Sequence, residues 1–156
     1  MLASLRMDST GVMGGFAGIP WIASHPIAYP ALEVVHIIGI ALLLGSLIGL
    51  ELRVWGRSPE LPIRPLARQA LAITLVGFGL VLLSGLLMFA AQPGDLLANR
   101  FFLIKLGLIQ LAGLNAAWFH ARDGLARCDA LARAQTVLST GLWVGAIICG
   151  RWIAYA

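Results

Sequence analysis

Four long apolar runs, separated by short polar stretches, organise this chain. They fall at about 31–53, 69–91, 100–121 and 134–154. Each is near the roughly 20 residues needed to cross a hydrocarbon core about 30 Å thick as a helix rising about 1.5 Å per residue. Connections this short make sequential neighbours antiparallel, so the pattern predicts an all-α protein, an integral membrane up-down four-helix bundle in one domain over 1–156. Ahead of the first run, Gly11, Gly14, Gly15, Gly18 and Pro20 interrupt any long helix, while Phe16, Ile19, Trp21 and Ile22 are apolar. That mixture predicts a short interfacial N-terminal segment with Trp21 at headgroup level. His25-Pro26 and Tyr29-Pro30 are expected to keep the chain extended up to the first span, because a residue preceding proline is pushed out of the helical region. The stretch from Arg53 to Arg68, broken by Pro59, Pro62 and Pro65, is expected to be a loop. Gln92-Pro93-Gly94-Asp95 is expected to turn, with Asn99 capping the third span.

Composition sharpens the membrane reading. Hydrophobic residues make up 60% of the chain and charged ones 12%, against about 25% charged in a soluble domain. The net charge of +4 comes almost entirely from arginine, with Lys105 the single lysine. In a soluble protein such a balance would suggest nucleic acid. Here Arg53, Arg57, Arg64 and Arg68 follow the first span, and Arg122, Arg127 and Arg133 follow the third. Clustering in two loops on one side is topology, so no nucleic-acid partner is expected, and the expected partner is the lipid bilayer. Positive loops stay cytoplasmic, so both termini are expected to be periplasmic or outside. Glu51 with Arg53, and Asp123 and Asp129 among the loop arginines, are read as salt-bridged anchors. Cys128 and Cys149 lie in different segments without metal or redox spacing, and no role is expected of them. The pairs Gly45/Gly49 and Gly141/Gly145, with Gly77, Gly79, Ser84 and Gly85, are read as points of close helix approach.

Candidate chemistry gathers at one depth. His36 lies about 9 Å below the outer end of the first span, with Glu33 one turn above it and Gly39 one turn below. Lys105 lies five residues into the third span, and Arg151 about four residues before the outer end of the fourth. Ionisable groups inside a bilayer are costly unless paired, and by default they mark a functional site. Two cations, one carboxylate and an imidazole in one layer suit an anionic ligand that also carries a metal. Haem fits, with His36 as axial ligand and Lys105 or Arg151 on the propionates. Glu33 is expected to orient His36 or to offset the cations, and Gly39 could lie against a flat cofactor. The second axial ligand is open among His25, Met88 and Lys105. Quinone is the next fit. A bare transition-metal ion fits less well, since one Glu-x-x-His motif is present where carboxylate-bridged sites use two. His120 is excluded by depth, about 22 Å further along the same helix as Lys105. Ser46, Ser84 and Ser139 are read as lone hydroxyls without a histidine at matching depth, bonded back to their own helices.

The motifs also carry a resemblance. Tyr-Pro-x-x-Glu-x-x-His-x-x-Gly at 29–39, Leu-Leu-x-Gly-Ser at 42–46, Glu-x-Arg at 51–53, Phe-x-x-Lys-Leu at 102–106 and Gly-Arg-Trp-Ile-Ala-Tyr at 150–155 resemble a bacterial family of uncharacterised four-span membrane proteins. More distantly, the first-span histidine and third-span Lys-Leu are similar to the four-span membrane protoporphyrinogen oxidase and to copper-resistance protein D. The oxidase resemblance implies His36 as a haem b ligand and Lys105 as its functional partner; His25 lies outside the shared pattern. The expected role is one-electron transfer between the quinone pool and a periplasmic redox protein. The alternatives are a protoporphyrinogen-oxidase-like membrane oxidoreductase and a non-haem membrane anchor or assembly subunit. A homo-oligomer is left open, and the second ligand, the partner and any catalysis are not set by these residues.

Overall fold

A computed structural model describes residues 25–57 and 59–155. The expected interfacial segment around Trp21 lies outside the described residues. Four long helices carry the chain: α1 Ala28–Val54, α2 Ile63–Ala91, α4 Arg100–Ala121 and α6 Ala130–Trp152. The short helices α3 Pro93–Ala98 and α5 Gly124–Arg127 lie in the connections, and a 3-10 turn, Ile153–Tyr155, closes the described chain. No strand occurs among the described residues. The four long helices are long and apolar enough to cross a membrane, and the protein is an all-α four-helix membrane bundle. Leu75, Val76, Leu83 and Leu114 stand 60–67% exposed on helix faces. Contiguous bare apolar surface of that kind is untenable in water and ordinary against lipid.

Three boundaries differ from the sequence pattern, two because of proline. α1 begins before Pro30, and α2 begins at Ile63, taking in Pro65. Proline in a first helical turn removes an amide that has no intrahelical partner anyway, so it opens a helix where an interior proline would break one. The first loop is correspondingly short, and Arg53 fastens it by donating from Nε to the Leu61 carbonyl at 2.6 Å and from Nη2 to that of Pro59 at 3.3 Å. Asn99 caps α4 as expected, accepting from the Phe101 amide at 2.9 Å. α6 starts earlier than its apolar run because Asp129 caps it, accepting from the Ala132 amide at 2.7 Å.

Helices α1 and α2 form one closely packed hairpin and α4 and α6 a second, and the hairpins meet mainly where α1 touches α6. At the arginine-rich end Val54, Phe119 and Ala132 are buried together, with Ile63 and Leu125 against them. All four long helices contribute to that core or its edge. Trp55 Nε1 donates to Thr136 Oγ1 at 2.9 Å in the same region. The bundle is thus fastened at its arginine-rich end.

The loop charges divide between expectation and surprise. Arg122 and Asp129 form the expected ion pair at 2.7 Å. Glu51, expected to be salt-bridged, is not: Thr140 donates its hydroxyl to Oε2, and Oε1 is buried with no partner among the described residues. Arg53 is turned instead to the loop carbonyls. The Arg122 hydrogen bond, and next the Ala132 amide, hold the Asp129 carboxyl below its ordinary value. A depressed acid contributes stability above its unfolded pKa and loses it as pH falls through the folded value. Asp129→Asn is therefore expected to lower the unfolding temperature near neutral pH. The wild-type and variant curves should converge in acid, and curves that stay parallel throughout would count against this coupling.

Candidate functional site

Close approach of α1 and α2 sets the site. A Cβ on Gly39 would stand 2.8 Å from the Gly77 carbonyl oxygen, and one on Gly77 would stand 2.7 Å from the Gly39 oxygen. Only glycine lets two backbones come this near. Gly45, Gly49 and Gly141 have nothing within 4 Å of such a Cβ, so the expected small-residue pairs at 45/49 and at 141/145 do not make this crossing. Gly39 is buried in it, which gives it a packing role in place of the cofactor contact considered from sequence.

One turn outward from that crossing, His36 leaves α1 with its side chain leaning toward the helix N-terminus, as all helical side chains do. It meets Ser84 of α2, where Nδ1 lies 2.9 Å from Oγ. Ser84 is almost fully buried, 2% exposed, and its hydroxyl donates to the Leu80 carbonyl at 2.6 Å. A hydroxyl has one proton. With that proton on Leu80, Ser84 Oγ accepts, which assigns the imidazole hydrogen to Nδ1 and leaves the lone pair at Nε2. Gly85 makes room for the ring: a Cβ there would come 3.4 Å from His36 Cε1. Ser84 bonds back to its own helix as expected, yet a histidine does lie at its depth. The expectation of none was wrong: Ser84 stands seven residues before the outer end of α2 at Ala91, about 10 Å down, which is the depth of His36.

On the second hairpin, Lys105 of α4 is a charged neighbour of His36. Its chain lies over Gly150 of α6, with Nζ 3.5 Å from where a Gly150 Cβ would be. No hydrogen bond or ion pair to its ammonium is found among the described residues. Cys149 is its neighbour, a residue to which sequence spacing gave no role. Two aromatic pairs bracket this layer and bridge the hairpins. Phe89 of α2 stacks on Phe102 of α4 toward the outer end, centroids 5.7 Å apart. Phe78 of α2 meets Trp143 of α6 edge-on deeper in the bundle, at 6.4 Å.

The other expected members stand apart. Glu33 is exposed and lies beside Tyr29 on its own helix; the position on the imidazole that it was expected to fill belongs to Ser84. Arg151 is exposed, with its guanidinium 4.9 Å over the Tyr155 ring and a hydrogen bond to the Tyr155 hydroxyl. It belongs to an aromatic collar with Trp152 and Phe101 at the membrane boundary, the place of a snorkelling cation. His25 is exposed and accepts at Nδ1 from the Ile27 and Ala28 amides, each at 3.3 Å, closing the turn before α1. Met88 is half-buried one turn beyond Ser84 on the same helix.

No protein-family model, curated protein or solved structure matches this chain. Its chemistry rests on the geometry just described.

A second polar layer lies toward the arginine-rich end. Asn115 Nδ2 donates to the Gln135 carbonyl at 2.9 Å, and Arg122 Nη1 donates to Gln135 Oε1 at 3.0 Å. Asn115 Oδ1 and Gln135 Nε2 are buried without partners among the described residues. Neither amide stood out in the sequence, because an amide in an apolar run signals nothing about the helix it faces.

The described residues contain no group of three or more His, Cys, Asp or Glu side chains able to hold a metal ion. A metal that arrives inside its own macrocycle needs only one or two protein donors.

Proposed function

We propose that this protein binds b-type haem between its hairpins in the outer leaflet and passes single electrons between the membrane quinone pool and a redox protein on the outer side. The observation that carries this reading is the His36–Ser84 hydrogen bond. Metal-ligating histidines usually donate their second ring N–H to a neighbour, which fixes tautomer and orientation. Here Ser84 accepts from Nδ1 and leaves Nε2 for the metal. Lys105, uncommitted among the described residues, is placed to hold a carboxylate of the same ligand, and the aromatic pairs offer flat apolar surface above and below. When bound, haem supplies a one-electron couple. The chain's part is to hold the ring by His36, neutralise a carboxylate with Lys105 and keep water out with Phe89, Phe102, Phe78 and Trp143. Quinone, whose carbonyl oxygens accept from lysine, is the proposed electron donor or acceptor. The bacterial inner membrane and periplasmic termini are part of the same proposal and are supported by the arginine loops.

The test is an absorbance spectrum of protein purified after expression with ample haem. A Soret band that shifts on reduction is expected. A colourless protein that co-purifies with a partner would favour a membrane anchor or assembly subunit instead.

A second reading is favoured by the Lys105 ammonium, unpaired among the described residues, and by the resemblance to membrane protoporphyrinogen oxidase. In it a carboxylate-bearing porphyrinogen is oxidised next to the haem, its electrons and protons passing to quinone, which leaves as quinol. Rescue of a strain lacking that oxidase would support it, and failure despite good expression would count against it.

A further inference from the structure

At the opposite end of the molecule, the first loop passes into α2 through Arg64 and Arg68, one helical turn apart. With Pro65, Gln69 and Ala72 they line a shallow depression on the helix surface. Both arginines are exposed, and among the described residues neither has a hydrogen-bond or ion-pair partner. The nearby cations and acids are otherwise disposed. Arg53 is tied to loop carbonyls, Arg122 is paired with Asp129, and exposed Glu60 forms no ion pair with either arginine. Like charges at i, i+4 repel one another, and none of the lining residues is acidic, so the depression is built for an anion.

The same face says which anion. Beyond Arg68 it continues through Leu71, Ala72 and Leu75, with Leu71 45% and Leu75 60% exposed. A cationic depression that opens onto a bare apolar stripe, at the end of a membrane span, matches an amphiphile whose charged group precedes its acyl chains. We infer that Arg64 and Arg68 hold the phosphate of an anionic phospholipid, with its acyl chains lying along Leu71, Ala72 and Leu75. A free phosphate would use the arginines and leave the stripe idle.

Native mass spectrometry of the purified protein, titrated with phosphatidylglycerol or with phosphatidylcholine of the same acyl chains, tests this. Wild type should retain the anionic lipid in preference by on the order of tenfold, as juxtamembrane arginines do on anionic surfaces. The double substitution Arg64→Gln/Arg68→Gln should bring the two lipids to near parity. Arg64→Lys/Arg68→Lys and the control Arg57→Gln should keep the preference. If the double glutamine variant does not fold, each single glutamine variant should lose part of the preference. Full wild-type preference in either the double or both single glutamine variants would overturn the assignment. So would release of the lipid from wild type by inorganic phosphate at matching concentration, which would make this a free-anion site. The site is far from His36, so neither outcome bears on haem.

Discussion

Replacing His36 by alanine is expected to abolish the haem absorbance of the purified protein while leaving its helical content unchanged. His36 is half-buried, and its loss removes a side chain without cutting the Gly39–Gly77 crossing one turn away, so the fold should survive. The direction of its Nε2 lone pair is already set by a partner on the opposite ring nitrogen. Ser84→Ala should act differently. Iron would still find the imidazole, but the ring would lose the acceptor that selects its tautomer. Outer-shell losses of this kind cost about 10–100-fold in metal affinity, so the variant should bind haem and release it in dilution series where wild type does not. Lys105→Met should retain the iron ligand and lose the carboxylate contact, weakening binding without removing the band. Visible spectra with haem titration separate the three cases. A His36→Ala protein with an unchanged Soret band would remove this histidine from the site. A Ser84→Ala protein indistinguishable from wild type would show that the tautomer is set elsewhere.

How much of the fold and the site is legible follows from what a sequence encodes about a helix. Position along the membrane normal is a count of residues at a fixed rise, so counting alone brings His36 and Lys105 to one layer and leaves His120 out of it. Rotation and pairing are not a count. Glu33, three residues from His36, looks like its natural orienter, but the orienter is Ser84 on another helix, brought there by the register of α1 against α2. The register is fixed by two glycines among eighteen, and the spacing rule picks Gly45 and Gly49, where an added Cβ would meet nothing within 4 Å. Arg151 shares the depth of the layer and still turns away, because Tyr155 one turn on offers its ring and hydroxyl. Glu51 lacks the arginine expected beside it because Arg53 is drawn to the carbonyls of a loop whose path proline decides.

That register yields the sharpest structural expectation. Gly77→Leu should be far more damaging than Gly45→Leu, although both put the same side chain into an apolar helix. At Gly77 even the first added carbon would meet the Gly39 oxygen and the Leu43 nitrogen, each at 2.7 Å. Those are backbone atoms and cannot rotate aside, so α1 and α2 must separate. Overpacking a well-filled core typically costs about 1–3 kcal/mol, and a clash with backbone rather than side chain belongs at or above the top of that range. Separation would also carry His36 away from Ser84, so haem retention should fall together with the unfolding temperature. At Gly45 the new side chain enters open space toward lipid, and both properties should stay near wild type. Thermal unfolding in detergent, followed by circular dichroism and by the Soret band in parallel, reads both effects. If Gly45→Leu unfolds and Gly77→Leu does not, the hairpin crosses at the other glycine pair, and the pairing that delivers Ser84 to His36 is lost with it.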